Sequence, residues 1–95
     1  MNIENKVVVV TGAASGIGRA LAQAFKNARA DKVYIADLNE EGLAETANLM
    51  DGIAIKTDVS KESEIRSLIE EVNKENDIDI FCSNAGIGGE FGLLD

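Results

Sequence analysis

Four consecutive valines, Val7–Val10, are followed directly by glycines at positions 12, 16 and 18. An unbroken β-branched run leaves no polar face. It suits a strand buried on both sides, as in the interior of a parallel sheet covered by helices. The strand is read over Lys6–Thr11. Beyond the glycines, Ile17, Leu21, Ala24, Phe25 and Ala28 recur at helical spacing, so residues 17–28 read as an amphipathic helix. A buried strand turning through glycine into a helix is the opening of an α/β layer.

The rest of the chain keeps the alternation. Lys32–Asp37 (K-V-Y-I-A-D) is β-branched and aromatic and reads as a second strand. Asn39 suits the N-cap of a helix over 40–50, with Glu40 and Glu41 placed to complement its dipole. Ile53–Thr57 is a short third strand. Ser60 is expected to cap a helix over 61–75, which carries Ile65, Leu68, Ile69 and Val72 on one face. Ile78–Ser83 is a fourth strand, and the glycine-rich stretch from Asn84 to Asp95 commits to no regular element.

Such alternation builds a parallel sheet through right-handed crossovers. The expected fold is a Rossmann-type, doubly wound α/β sheet, partial, with four strands in the order 3-2-1-4 and helices on both faces. Winding reverses beside the first strand, and ligands bind outside the carboxyl ends of the strands at that switch. The loops after Val10 and after Ser83 meet there. No strand is then expected beyond Ile78–Ser83, which leaves it as an exposed edge with Asp79 as its one gatekeeping charge.

Charge narrows the ligand. Nine Lys and Arg stand against 17 Asp and Glu, for a net charge of −8. An acidic chain repels nucleic acid and anionic lipid, so neither is an expected partner. An anionic ligand would need local backbone donors. With no His and one Cys, Cys82, neither a zinc site nor an internal disulfide can be built, and no metal is expected. Cys82 reads as core. Val7–Val10 is too short for a signal or membrane segment, which makes the cytoplasm the default location.

The loop Thr11-Gly12-Ala13-Ala14-Ser15-Gly16-Ile17-Gly18 has glycine where a phosphate-binding βα turn needs it: at a tight turn, at close backbone approach to pyrophosphate, and at close packing. The N–H groups and dipole of the following helix would face the phosphates. An ordinary βα turn is the bland alternative, and a P-loop is excluded because no Gly-Lys-Ser/Thr follows. Asp37 ends the second strand 19 residues after Gly18. About 20 is the spacing of the acidic residue that grips an adenine ribose. A carboxylate there accepts from both ribose hydroxyls and repels a 2′-phosphate, favouring NAD over NADP. The alternative is a solvated or capping Asp. Arg19, at the helix start, reads as a solvated surface residue.

With these residues in view, T-G-A-A-S-G-I-G resembles the T-G-x-x-x-G-x-G cofactor motif of the short-chain dehydrogenase/reductase family. Asp58-Val59 is similar to the family's adenine-contacting motif. Ser83-Asn84-Ala85-Gly86 is similar to its N-N-A-G, with Ser for the first Asn. The resemblance runs from Lys6 to about Gly88. It implies that Gly12, Ser15, Gly16, Ile17 and Gly18 line the pyrophosphate and ribose, and that Asp37 holds the adenosine ribose. Asp58 and Val59 would hold the adenine. Asn84, Ala85 and Gly86 would floor the site, with Ile87 toward the nicotinamide. NADP-preferring relatives carry a base at positions that are Ser15 and Leu38 here, so the implied cofactor is NAD. Asp58 as a cap and Asn84 as a turn residue remain the alternatives.

The family's reaction is hydride transfer between nicotinamide and a carbonyl or alcohol, using Tyr-x-x-x-Lys and an upstream Ser. The single tyrosine, Tyr34, is followed four residues on by Leu38, so no catalytic residue can be named. Residues 1–95 are therefore expected to be one incomplete NAD(P)-binding domain of a longer, truncated or partial protein. That protein is expected to act on a small-molecule substrate and to form a homo-oligomer. A noncatalytic NAD-binding module or subunit is the alternative. A methyltransferase with a similar glycine loop fits less well, because Asn-Ala-Gly after the fourth strand is not expected there.

Overall fold

The computed structural model describes residues 2–84 and the backbone of 91–94. Strand β1 (Val7–Thr11) leads into α1 (Gly16–Asn27), then β2 (Lys32–Asp37), α2 (Glu40–Met50), β3 (Ile53–Lys56), α3 (Glu62–Asn73), β4 (Ile80–Asn84) and β5 (Phe91–Leu94). The sheet order is β3-β2-β1-β4-β5. The first four strands are parallel, with Val8 opposite Val33 on one side and Ile80 on the other. This is the Rossmann-like 3-2-1-4 arrangement expected from the alternation.

The valine run divides its side chains between two cores, because successive residues of a strand point to opposite faces. Val8 and Val10 join Val33, Ile35, Ile80 and Cys82 under Ala22 of α1 and Leu43 and Met50 of α2. Val7 and Val9 join Tyr34, Ala36 and Phe81 under Leu68 and Val72 of α3. Cys82 has no exposed surface and burial pushes its thiol pKa up, as suits a core residue.

Three expectations need correction. First, the chain does pair beyond β4. β5 runs antiparallel to it, with Phe81 opposite Leu94 and Asn84 opposite Phe91. The connection is too short for the dozen or more residues of a parallel crossover, so only an antiparallel return is open to it. β4 is therefore an interior strand. Its first turn of pairing is made by Asp79, whose N–H donates to the Val7 carbonyl (2.9 Å) and whose carboxylate accepts from the Val7 N–H (2.8 Å).

Second, Ser60 does not cap α3. Its N–H and hydroxyl both donate to Asp58 Oδ1, at 3.0 and 2.6 Å, and this local turn leaves Lys61 as the N-cap. The helix is correspondingly shorter than 61–75. Asn39, by contrast, caps α2 as expected, with its side chain accepting from the Gly42 N–H. Third, Arg19 is not a solvated surface residue. It lies across α2 in a network that bears on the site below.

Candidate functional site

The parallel strands β1, β2 and β4 present Thr11, Asp37 and Asn84 at their carboxyl ends. At the centre, the Asn84 N–H donates to Thr11 Oγ1 (3.0 Å), which fastens β4 to β1 where the winding reverses. Gly12 then turns the chain with φ of 67°. A Cβ at Gly12 would overlap the Asn84 carbonyl oxygen, and one at Gly18 would overlap the Gly12 carbonyl. Both glycines let backbone approach backbone: loop to β4, and α1 to loop.

Gly16 differs. It also has a left-handed φ, 58°, yet a Cβ built there meets nothing within 4 Å among the described residues. The space beside it is open. Ser15, the N-cap of α1, makes no side-chain capping bond. The N–H groups of a helix's first turn have no intrahelical acceptor. Here they stand uncapped by Ser15 beside that open space, with the positive end of the α1 dipole behind them. Ser15 and Gly16 are exposed and Ile17 is half exposed, at 50%. An uncapped helix terminus against an open glycine cradle can accept an anion without basic side chains.

Asp37 stands at the end of β2, partly buried. Its Oδ2 accepts from the Ala14 N–H and its Oδ1 from the Asn39 N–H, each at 3.0 Å. The carboxylate is thus fixed between the glycine loop and the α2 cap. Each oxygen retains acceptor capacity, since an ionised carboxylate offers about four lone-pair sites. Beside it, Lys56 pairs with Asp37 in register, and the Thr57 N–H donates to the Asp37 carbonyl. Lys56 itself is engaged by Glu40 at 2.9 Å, which raises its pKa.

Asp58 and Val59 follow at once, both partly exposed. The Ser60 hydroxyl and N–H hold the Asp58 carboxyl below the usual carboxylate range. The Asp58 N–H is taken by Glu64 Oε1 at 2.8 Å. The structure thus brings Gly12, Gly18, Asp37 and Asn84 together around the glycine loop, with Ser15, Gly16 and Ile17 at its mouth. Asp58 and Val59 lie one strand further out. Ala85, Gly86 and Ile87 lie outside the described residues.

Sequence reasoning missed Thr11, Arg19 and Thr46. Arg19 Nε donates to Thr46 Oγ1 (2.7 Å), and its Nη2 donates to the carbonyls of Ala14 (2.5 Å) and Gly42 (3.2 Å) and pairs with Glu45 (3.2 Å). Thr46 sits on the buried stripe of α2 between Leu43 and Met50. A hydroxyl in that stripe is a signal that a polar partner faces it.

The match to known proteins follows this geometry. Residues 6–94 match the family model described as short chain dehydrogenase. The chain belongs to that family. It is 38% identical over 89 residues to a NAD-dependent glycerol dehydrogenase of Listeria innocua, covering 90% of this chain and 35% of that protein. A short chain dehydrogenase of Mycobacterium smegmatis superposes with a TM-score of 0.83 at 34% identity, covering 94% of this chain and 40% of that one. A short chain dehydrogenase/reductase of Burkholderia phymatum, solved in complex with NAD, superposes with a TM-score of 0.74 at 32% identity, covering 78% of this chain and 28% of that one. The chain thus spans about a third of the length of the curated relatives it matches.

Proposed function

We propose that this chain supplies the dinucleotide-binding part of an NAD-dependent oxidoreductase that moves a hydride between nicotinamide and a carbonyl or alcohol. The observation that carries the choice of cofactor is Asp37. A carboxylate held at the end of β2 by Ala14 and Asn39 offers acceptors to the 2′- and 3′-hydroxyls of an adenine ribose. The same charge opposes a 2′-phosphate, and Ser15 and Leu38 offer no base to offset it. The NAD complex of the Burkholderia phymatum neighbour and the NAD-dependent Listeria innocua relative support the same reading.

The other residues fit a dinucleotide. The Gly16 cradle and the first turn of α1 would take the pyrophosphate, and Asp58 with Val59 would take the adenine. The nicotinamide would supply the hydride chemistry; the chain's own groups bind and orient. Calorimetric titration tests the cofactor. NAD should bind more tightly than NADP, and equal or tighter binding of NADP would overturn the assignment. A hydrogen bond to a charged group contributes roughly 1.5–3 kcal/mol, so Asp37→Ala should weaken NAD by about one to two decades. Gly16→Val should abolish NAD binding while the sheet still forms, because its methyl groups would occupy the open phosphate space and a β-branched residue strains the left-handed φ that shapes the loop there.

A further inference from the structure

We propose that Arg19 and Thr46 are positioning residues for the pyrophosphate, acting through the carbonyls of the glycine loop rather than by touching the ligand. The proposal rests on the dinucleotide reading above and explains how a loop without basic side chains keeps its donors aimed. Arg19 is the cation nearest in sequence to the three glycines, and contact with a phosphate would be its simplest use. The structure turns it the other way. Its guanidinium reaches Thr46, Gly42 and Glu45, all on α2, and closes back on the Ala14 carbonyl. Its side chain is 26% exposed against 66% for Glu45, so the charge is spent on a partly enclosed network.

Thr46 carries the second link. It is fully buried. A hydroxyl has one proton to give and can accept as well. Thr46 accepts from Arg19 Nε and has two carbonyls within reach of its proton, Ala13 at 2.7 Å and Gly42, one turn back on α2, at 3.2 Å; the shorter bond assigns the proton to Ala13. Two successive loop carbonyls, Ala13 and Ala14, are therefore held from the α2 side. A trans peptide is planar, with its C=O and N–H pointing opposite ways. Holding the Ala13 carbonyl toward Thr46 therefore directs the Ala14 N–H to Asp37, where it is found at 3.0 Å. Holding the Ala14 carbonyl toward Arg19 likewise directs the Ser15 N–H away from α2, at the uncapped start of α1. Gly42 permits the arrangement. A Cβ there would stand 2.8 Å from the Ala14 carbonyl and push α2 off the loop. One peptide thus faces the ribose carboxylate and the next faces the phosphate end, and one arginine–threonine pair sets both.

The test combines NAD calorimetry, thermal unfolding and the backbone amide resonances of Ser15 and Gly16. Arg19→Met and Thr46→Val should each weaken NAD about tenfold, the order expected from losing a charged hydrogen bond. Each should also reduce the shift of the Ser15 and Gly16 amides at NAD saturation. Thr46→Ser keeps the hydroxyl and should restore both. The double variant should lose less than the sum of the singles, because both act on one network. Arg19→Lys keeps the charge and the stem without the planar fork, and should also bind NAD more weakly. It stands in should Arg19→Met not fold.

Unchanged NAD affinity in Arg19→Lys and Thr46→Val would overturn the positioning role. Loss in Thr46→Ser equal to that in Thr46→Val would overturn the hydroxyl relay. A wild-type protein that binds no NAD would instead overturn the dinucleotide reading itself.

Discussion

The two faces of the sheet are not equally finished. On one, α1 and α2 cover Val8, Val10, Ile35 and Cys82, none of which has exposed surface. On the other, α3 is the covering helix among the described residues. It buries Leu68 and Val72, but Ile65, Ile69 and Ile78 stay partly exposed and line an open groove with Phe81, Asn73 and the carboxylates of Asp77 and Asp79. The glycine loop is held from the first face by Thr46 and Arg19, and at the strand ends by Asp37 and by the bond between Asn84 and Thr11. Both faces bury residues of the central strands fully, Val9 and Ala36 included, and the first face also carries the partly buried Leu21 and Phe25. The difference among the described residues therefore lies in the cover: two helices on the side of the glycine loop, and one helix beside an open groove on the other.

The largest expected effect is at Gly12, where the two sides of the switch meet. Gly12→Val combines a left-handed φ that a β-branched residue rarely adopts with an overlap on the Asn84 carbonyl. Backbone strain and forced repacking together should cost about 3 kcal/mol or more. For a chain of this size that is a fall in Tm of roughly 12–24 °C. Circular dichroism melts decide it, and a Tm within a few degrees of wild type would mean that the loop is not wedged against β4.

The contrast between faces is tested directly by truncating one residue in each. Ile35→Ala, in the covered face, should cost about 3 kcal/mol. Leu68→Ala, on α3, should cost about 2 kcal/mol because the open cleft that Leu68 lines with Tyr34, Ile55 and Thr57 lets the helix settle into the void. Urea unfolding measures both. Equal losses would show that α3 packs as firmly as α1 and α2, and that the cleft is no measure of looseness.

Legibility in the sequence follows the same division. β1, the glycine turn and the Asn39 cap are local: each depends on residues within a few positions, and pattern alone finds them, whereas Asp37 stands out only through its 19-residue spacing from Gly18. Gly12, Gly16 and Gly18 are visible as a motif, but only the structure separates their surroundings into two close contacts and one open space. Arg19 departs from the expectation because three of its partners, Gly42, Glu45 and Thr46, are 23 to 27 residues away, and two of its interactions are to backbone carbonyls, which have no letter in the sequence. Ser60 departs from the expectation because its hydroxyl and its N–H both donate to Asp58 Oδ1, which draws it into a turn ahead of the helix. β5 was missed because Phe91-Gly-Leu-Leu is short and does not alternate, so its pairing is decided by β4 and not by its own pattern.

The smallest expected effect lies at the outer loop, where Asp58 and Ser60 form a local turn. Asp58 is held as the carboxylate chiefly by the Ser60 hydroxyl and then by the Ser60 N–H, so its folded pKa lies below the ordinary 3.8. A depressed carboxylate contributes stability that is present above the unfolded pKa and is lost as pH falls through the folded one. Ser60→Ala removes the hydroxyl and should move the Asp58 pKa up toward 3.8, leaving the N–H bond in place. Its stability should therefore fall slightly below wild type at neutral pH, with the gap closing as pH drops below about 3.8. Carboxyl titration by NMR reads the first change and urea unfolding across pH reads the second. NAD affinity should stay within about twofold, since this turn reaches neither the Ala13 nor the Ala14 carbonyl and an exposed local bond carries little energy. That outcome, set beside a tenfold loss from Thr46→Val, would locate cofactor control on the α2 side of the sheet. A comparable loss from Ser60→Ala would place the adenine end under equal control and remove the contrast between the tied loop and the free one.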